Sequence, residues 1–185
     1  LSGKVNNEIV MLLNHHGGKA VTLSGKSANI FHARRIRSKK DQDLGLVGTI
    51  ESVDTRLIHT LCDDGYIPVI SSVGSDRNGK TLNLNADNVA GAVARYLECK
   101  KLIYLTDVEG VITDGTLVSS LSITETEELL KHPDIKGGML PKLECSLHAL
   151  KEGVDSVHII NGSMEHAVLL EIFTNRGIGT MMVSK

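Results

Sequence analysis

The chain has 185 residues, of which 41% are hydrophobic and 23% are charged, and its net charge is −2. This composition is typical of a folded globular protein and excludes a mainly disordered one. The near-neutral charge disfavours a dedicated nucleic-acid or membrane-surface binder, because both need a concentrated positive field. Three widely separated cysteines show no zinc-ligand spacing, and no apolar run approaches the roughly 20 residues of a membrane span.

Helices and strands are predicted to alternate from the start of the chain. Apolar residues at helical spacing in 5–13 predict an amphipathic helix that ends at the glycines 17–18. The basic stretch 34–40 alternates with apolar residues, and we interpret it as an exposed hairpin strand rather than an anion site. A helix capped by Asp54 and a buried strand at 67–73 follow.

Residues 82–87 place apolar and polar side chains in alternation. In an extended chain Leu82 and Leu84 point to one face, which is then the buried one. The opposite face carries three polar side chains, which are Asn83, Asn85 and Asp87. We interpret this polar face as the wall of a binding site. Simple capping of the following helix is the alternative for each polar residue taken singly.

A helix and a strand follow this polar face. Val89, Val93 and Leu97 recur at helical spacing, and the run 102–105 is continuously apolar, as expected of a strand covered on both faces. A threonine and an aspartate at 106–107 come directly after the strand. In layered α/β sheets ligands bind beyond the carboxyl ends of the strands, so a ligand is expected at this end.

A second candidate site lies at the start of a later helix. Gly137 and Gly138 precede an amphipathic segment in which Pro141 fits the first helical turn. Lys142 therefore stands one turn inside the helix. Backbone N–H groups, the positive end of the helix dipole and an ammonium group then converge, which predicts an anion site.

The same alternation continues to the end of the chain. Ser122 and Glu125 form a capping-box pattern before a helix, and a buried strand is predicted at 154–160. A last helix and a closing strand at 179–183 follow. We therefore predict an α/β fold, a three-layer αβα sandwich with an open and mainly parallel sheet.

Several common motifs are missing, and six short segments carry a resemblance to a known family. The sequence contains no Walker A, GxGxxG, GxSxG or HExxH pattern. The segments are DLGLVG at 43–48, GYIPVI at 65–70, NLNAD at 83–87, LTDVEGV at 105–111, GGMLPK at 137–142 and GIGT at 177–180. In this order they resemble the amino acid kinase family, and within it the members that phosphorylate N-acetyl-L-glutamate.

The resemblance implies an activity and a fold. The activity is ATP-dependent phosphorylation of the side-chain carboxylate of N-acetyl-L-glutamate in arginine biosynthesis, with ATP and Mg2+ and without a metal site made by the protein. The fold is carbamate kinase-like, with the remainder of an amino-acid-substrate lobe at 1–86 and a nucleotide-binding lobe at 87–185. A cytoplasmic or plastid-stromal location, a homo-oligomer (dimer or hexamer) and a PII-type signalling partner are further expectations.

Individual residues match functional positions of that family. Asn83 and Asn85 match positions that hold the amino-acid substrate, and Asp87 matches the aspartate that orients the catalytic lysines. Lys142 matches a catalytic lysine that contacts the ATP phosphates. The matched nucleotide-binding positions are Thr106, Asp107, Gly110, Gly138 and Lys142.

The C-terminal segment 166–180 resembles that of arginine-inhibited members of the family. Glu171 and Gly177 match positions that contact the inhibitor, so the resemblance implies L-arginine as an effector. A core helix followed by an ordinary glycine turn is an equally weighted alternative.

Two other functions stay open. One is a non-catalytic module that binds a nucleotide or an effector, and the other is a kinase of this family with a different acceptor. Family members also have an N-terminal strand ending in lysine and glycines, a second glycine-rich loop and an arginine for the substrate carboxylate. These elements precede the segments matched here, so we expect that the sequence begins inside a domain and that this chain alone is inactive.

Overall fold

The computed structural model describes residues 3–36, 44–174 and 177–184. The last part of the predicted basic strand, 37–40, and the residues 175–176 of the predicted effector segment lie outside these ranges. The chain divides into two compact units, Leu1–Tyr96 and Leu97–Lys185. The division into a substrate lobe and a nucleotide lobe after residue 86 concerns function and stays a prediction.

The described part of the first unit alternates helices and strands. Its helices are α1 (Lys4–His15), α2 (Arg56–Asp63) and α3 (Ala86–Tyr96). Its strands are β1 (Ala20–Ser24), β2 (Phe31–Arg35), β3 (Val47–Val53), β4 (Ile67–Ser71), β5 (Val73–Ser75) and β6 (Thr81–Leu84). The predicted helix at 5–13 and the predicted hairpin that begins with the basic strand are confirmed, because β2 pairs antiparallel with β3.

Strands β1 and β4 pair in parallel, and a buried asparagine joins α1 to them. Asn6 is 5% exposed, and its Nδ2 donates to the carbonyl oxygens of Leu23 at 2.9 Å and Val69 at 3.0 Å. These two bonds satisfy the buried amide group, which would otherwise destabilise the fold. The helix forms as predicted, but its apolar face is not the buried one, because Val5, Ile9 and Leu12 are exposed and Asn6 is the buried residue of α1.

The other four strands of the first unit close into a barrel in the order β2-β3-β6-β5. Leu82 and Leu84 fill it and are 0% and 3% exposed, as their alternation with asparagines predicts. A Cβ atom added to Gly48 would lie 2.8 Å from Leu82 Cδ1, so a larger residue at that position would force Leu82 to shift. The sequence predicts the individual hairpins, but barrel closure depends on pairings between distant strands.

The second unit is built on one four-stranded sheet. Its helices are α4 (Ile123–Leu129), α5 (Met139–Lys151) and α6 (Ala167–Phe173). Its strands are β7 (Lys101–Thr106), β8 (Ile112–Thr113), β9 (Thr116–Leu117), β10 (Ser120–Ser122), β11 (Ser156–Asn161) and β12 (Thr180–Val183). Strands β8 and β9 form a separate hairpin. Over the described ranges, no helix has the length and apolar character needed to cross a membrane.

The sheet has the order β10-β12-β11-β7. Pairing is parallel between β10 and β12 and between β11 and β7, and it is antiparallel between β11 and β12. Five successive residues of β11, 156–160, are buried, and α5 packs against β11 and β12. The predicted α/β fold with mainly parallel pairing is confirmed.

The prediction that β7 is covered on both faces is wrong at its carboxyl end. Leu102 and Tyr104 are buried, but Leu105 is 55% exposed. Among the described strands β7 pairs only with β11 and forms the edge of the sheet. A continuous apolar run does not show whether both faces of a strand are covered, because apolar residues also occupy partly covered faces.

Helix α4 begins with the predicted capping box. The Oγ atom of Ser122 accepts the N–H of Glu125 at 3.2 Å, and Oε2 of Glu125 accepts the N–H of Ser122 at 2.7 Å. The hydrogen bonds from Ser122 lower the pKa of the Glu125 carboxyl below its usual value. The charged form of Glu125 is therefore favoured by folding.

We expect this capping box to lose stabilising effect in acid. Because folding lowers the pKa of Glu125, its contribution is present above the ordinary carboxyl pKa of 4.5 and is lost as the pH falls through the lower folded value. Glu125→Gln keeps the shape of the side chain but does not titrate. The difference in Tm between wild type and Glu125→Gln is expected to shrink as the pH falls from neutrality.

Thermal unfolding followed by circular dichroism measures this difference. Glu128→Gln serves as the control, since Glu128 lies in the same helix and is exposed. A Tm difference for Glu125→Gln that stays constant across the acid range would contradict the capping argument.

Candidate functional site

A cleft of about 310 Å³ lies in the second unit, between the carboxyl end of β7 and the start of α5. It brings together all five residues predicted to bind a nucleotide, which are Thr106, Asp107, Gly110, Gly138 and Lys142. Sequence reasoning did not select the other lining residues, which are Val108, Ile112, Asp134, Ile135 and Met139. Val108 and Met139 lie inside the segments 105–111 and 137–142, whereas no local motif marks Ile112, Asp134 and Ile135, whose place in the lining follows only from the fold.

The parallel pairing of β7 with β11 brings the first two of these residues to the cleft. Thr106 is the last residue of β7 and pairs with Asn161, the last residue of β11. The carbonyl oxygen of Thr106 accepts the N–H of Gly162 at 2.8 Å, and its hydroxyl donates to Oδ1 of Asp107 at 3.2 Å. A hydroxyl and a carboxylate therefore stand together where the strand ends.

The turn that follows needs a glycine. Gly110 is buried and has φ of +151°, a backbone conformation that other residues rarely adopt. A Cβ atom at this position would lie 2.7 Å from Oγ1 of Thr180 and 2.9 Å from Cδ1 of Leu117. The turn is thus in direct contact with the sheet behind it, and this contact limits how the cleft wall can move.

The start of α5 forms the opposite wall. Gly138 occupies the N-cap position, and no side chain caps the helix there. The backbone N–H groups of a first helical turn have no partner inside the helix, so they are suited to bind an anion. Lys142 is half-buried, and its ammonium nitrogen lies 6.0 Å from the ring centroid of Tyr104, at the limit of a cation–π contact.

The residues predicted to hold the amino-acid substrate lie in the first unit. Asn83 is exposed on β6, and Asp87 is half-buried in the first turn of α3. Oδ1 of Asn85 accepts the N–H of Asn88 at 3.0 Å, so Asn85 does cap α3. The extended polar face therefore ends at β6, because Asn85 caps α3 and Asp87 lies in the helix. The role of these three residues in substrate binding stays a prediction.

Of the two residues predicted to contact arginine, Glu171 has a buried side chain and Gly177 is exposed. The Glu171 side chain is 7% exposed, and its Oε1 lies 2.5 Å from Nδ1 of His158. Its Oε2 accepts the N–H of Ile178 at 3.2 Å, next to the exposed Gly177. Nε2 of His158 lies 3.0 Å from Oγ of Ser156, which extends the contact into β11. Sequence reasoning missed His158 because no local pattern marks this partner of Glu171.

One trio of described residues has the donor atoms to hold a cation. Asp114, His132 and Asp134 each place one donor atom within 4.8 Å of the other two. The imidazole of His132 lies 3.8 Å from each carboxylate, and the N–H of Asp114 donates to Oδ2 of Asp134 at 2.9 Å. The N–H of Asp134 also donates to Nδ1 of His132 at 3.3 Å, so backbone hydrogen bonds hold part of this arrangement.

The second unit is an α/β fold with a cleft at the carboxyl end of a strand and at a helix N-terminus, two positions at which such folds commonly bind ligands. The model of the amino acid kinase family matches residues 1–161. The chain belongs to the amino acid kinase family, as the six sequence segments indicate.

Among curated members of this family, the chain is similar to acetylglutamate kinases. The chain is 50% identical over 182 residues to the acetylglutamate kinase of Kosmotoga olearia and 52% identical over 189 residues to that of Oleidesulfovibrio alaskensis. These matches cover 98% and 97% of the chain, respectively, and 64% of each relative. The chain therefore spans a little less than two thirds of the length of these relatives.

Solved structures show the same fold. An N-acetylglutamate synthase from Neisseria gonorrhoeae, complexed with coenzyme A and N-acetyl-glutamate, matches all of this chain and 42% of its own, with a TM-score of 0.90 and 32% identity. A carbamate kinase from Giardia matches all of this chain and 69% of its own, with a TM-score of 0.68 and 15% identity. The second match concerns the fold alone, and it confirms the predicted carbamate kinase-like architecture.

Because Gly110 is in close contact with Thr180, substitution by alanine is expected to destabilise the protein more at Gly110 than at Gly115. Gly110→Ala introduces a methyl group against Thr180 as well as backbone strain, whereas Gly115→Ala introduces strain only, because nothing lies within 4 Å of its Cβ position at φ +72°. Gly110→Ala is expected to lower the free energy of unfolding by about 2 kcal/mol more than Gly115→Ala. Urea unfolding of both variants measures the difference, and equal losses would contradict the close packing of this turn.

Proposed function

We propose that the protein catalyses the ATP-dependent phosphorylation of the side-chain carboxylate of N-acetyl-L-glutamate, forming N-acetylglutamyl 5-phosphate in arginine biosynthesis. The observation that carries the proposal is that one cleft of the second unit gathers Thr106, Asp107, Gly110, Gly138 and Lys142. Supporting it, acetylglutamate kinases at about 50% identity match nearly the whole chain. We assign residues 1–86 to the substrate lobe and 87–185 to the nucleotide lobe.

The chemistry of an acyl phosphate explains why this set of residues suits the reaction. A glutamate carboxylate has a pKa of about 4.3 and is already ionised at neutral pH, so attack on phosphorus needs no general base. The barrier arises from bringing a carboxylate to a phosphate that is also negative. Cations and N–H donors that spread the charge of a loose transition state lower this barrier.

Different residues of the cleft neutralise the phosphates and bind the adenosine in this proposal. Lys142 and the N–H groups at the start of α5 neutralise the phosphates, and Mg2+ held by the phosphates adds further positive charge when it is bound. Thr106, Asp107 and Gly110 hold the adenosine end. Ile135 and Met139 provide apolar surface in the same lining, against which a nucleobase can pack.

The polar face of the first unit takes the acceptor in this proposal. Asn83 and Asn85 hold N-acetyl-L-glutamate, and Asp87 orients the catalytic lysines, as the resemblance implies. Because Asn85 uses its oxygen to cap α3, its amide N–H group is the donor it offers to a carboxylate or carbonyl. Rigid orientation of the acceptor is worth several powers of ten in rate for a two-substrate reaction.

A second candidate function is a non-catalytic module that binds an effector. The match with N-acetylglutamate synthase favours it, since that protein is also described in complex with L-arginine, in a structure that matches 91% of this chain with a TM-score of 0.79. In both candidates we propose that L-arginine binds at Glu171 and Gly177, and in the kinase we propose that it acts as a feedback inhibitor. We further propose a cytoplasmic homo-oligomer, either a dimer or a hexamer, with a PII-type protein as a regulatory partner.

Lys142→Ala tests the catalytic proposal. Removing the ammonium leaves charge on the transferring phosphate without a partner, so kcat is expected to fall by about 100-fold or more. Trapping of the acyl phosphate with hydroxylamine measures the product in the intact protein. The control is Lys136→Ala, because Lys136 is exposed in the loop before α5 and does not line the cleft.

The outcomes separate the two candidate functions. Loss of product in Lys142→Ala with full activity in Lys136→Ala supports the kinase. Unchanged activity in Lys142→Ala removes this residue from catalysis. If the intact protein binds ATP or arginine but makes no acyl phosphate with any candidate acceptor, the binding module is favoured.

Glu171→Gln tests the effector proposal. Loss of the carboxylate charge removes the strongest partner that a guanidinium group finds in proteins, so the Kd for L-arginine is expected to rise by about tenfold or more. Isothermal calorimetry measures both proteins. Glu165→Gln, which changes a glutamate whose side chain is 89% exposed, is the matched control. Equal arginine affinity in wild type and Glu171→Gln would exclude Glu171 from the site.

A further inference from the structure

Thr180 makes two hydrogen bonds behind the wall of the cleft. It is the first residue of β12 and is 1% exposed. Its Oγ1 accepts the N–H of Val111 at 2.8 Å and donates its own proton to the carbonyl oxygen of Val118 at 2.6 Å. The N–H of Val118 in turn donates to the carbonyl oxygen of Val111 at 2.8 Å. The Thr180 hydroxyl therefore links Val111 and Val118, the two residues at the base of the β8–β9 hairpin.

This hairpin base carries part of the cleft lining. Gly110 precedes Val111 directly, Ile112 follows it, and both line the cleft, whereas Thr180 does not. The backbone at Gly110 also approaches Thr180 closely enough to leave no room for a Cβ atom. The cleft wall is thus in contact with a side chain that lies outside the lining and 69 residues away from Val111 in sequence.

We propose that Thr180 is a positioning residue for nucleotide binding, whose hydroxyl holds the turn at Gly110 and Val111 in the shape that receives the nucleotide. The inference rests on the proposed function, because it takes the occupant of the cleft to be a nucleotide. Thr180 acts through the turn and does not line the site itself. Its role is therefore distinct from the roles of Thr106, Asp107 and Lys142.

The hydroxyl of Thr180 affects the turn because it bonds two backbone groups there, the N–H of Val111 and the carbonyl oxygen of Val118. Val111 is 0% exposed, so its N–H has no access to water if Oγ1 is removed. A buried donor without a partner is costly, and the turn is expected to shift until the N–H finds one. Such a shift moves Gly110 out of the cleft wall. Thr180→Val removes the hydroxyl while keeping the volume and the branched shape of the side chain.

Calorimetric titration of the protein with Mg-ADP tests the proposal. Thr180→Val is expected to raise the Kd for Mg-ADP by about tenfold, which corresponds to about 1.4 kcal/mol. Thr180→Ser restores the hydroxyl, and its Kd is expected to lie closer to that of wild type than to that of Thr180→Val. If the hydroxyl contributed only to stability, folded Thr180→Val and folded Thr180→Ser would bind Mg-ADP with the same Kd, and no rescue of affinity would be seen.

Thr126→Val is the matched control for loss of a buried hydroxyl. Thr126 is 0% exposed, and its Oγ1 donates to the carbonyl oxygen of Ser122 at 2.7 Å, but Thr126 does not line the cleft. This variant is expected to lower Tm and to leave the Kd for Mg-ADP unchanged. Hydrogen exchange at the Val111 amide, which should become faster in Thr180→Val and not in Thr126→Val, locates the change.

The results separate this inference from the proposed function. If wild type does not bind Mg-ADP, the nucleotide assignment of the cleft fails, and the positioning role fails with it. If wild type binds and Thr180→Val binds equally well, the positioning role alone is overturned. If Thr180→Val does not fold, Thr180→Cys replaces it, since a thiol is a weak donor and acceptor of similar size.

Discussion

The parallel pairing of β7 with β11 is the constraint on which the candidate cleft depends. Its register runs from Lys101 opposite Ser156 to Thr106 opposite Asn161, so both strands end at the same level of the sheet. Helix α5 leads into β11 and packs on it, which brings the start of the helix to that same edge. Strand ends present polar groups and a helix start presents N–H groups, so the edge is suited to an anionic ligand.

Buried polar side chains complete the structure around this sheet. Among the described residues, no buried side-chain nitrogen or oxygen lacks a hydrogen-bond partner. Asn6 ties a helix to two strand carbonyls, Thr180 closes a hairpin, and Glu171 joins His158 to the backbone before β12. Each contact fixes the position of one segment on another, because hydrogen bonds are directional.

Local signals account for the predictions that the structure confirms. The capping box at Ser122 depends on residues three apart, and the burial of Leu82 and Leu84 depends on the period of an extended chain. Predictions failed or were missing where a neighbour distant in sequence decides the outcome. The exposure of Leu105 depends on what packs on the second face of β7, and the partner of Glu171 lies on β11.

The sequence by itself determined the α/β class, the family and the two short segments, 105–111 and 137–142, that carry the candidate nucleotide residues. Those segments contain their own turn glycines, strand end and helix start, so their local shape follows from nearby residues. Only the tertiary structure decided that they meet in one cleft, that the first unit closes a barrel and that Thr180 lies behind Gly110. The physical reason is that pairing and packing join residues far apart in the chain, and local propensity carries no information about which distant partner is chosen.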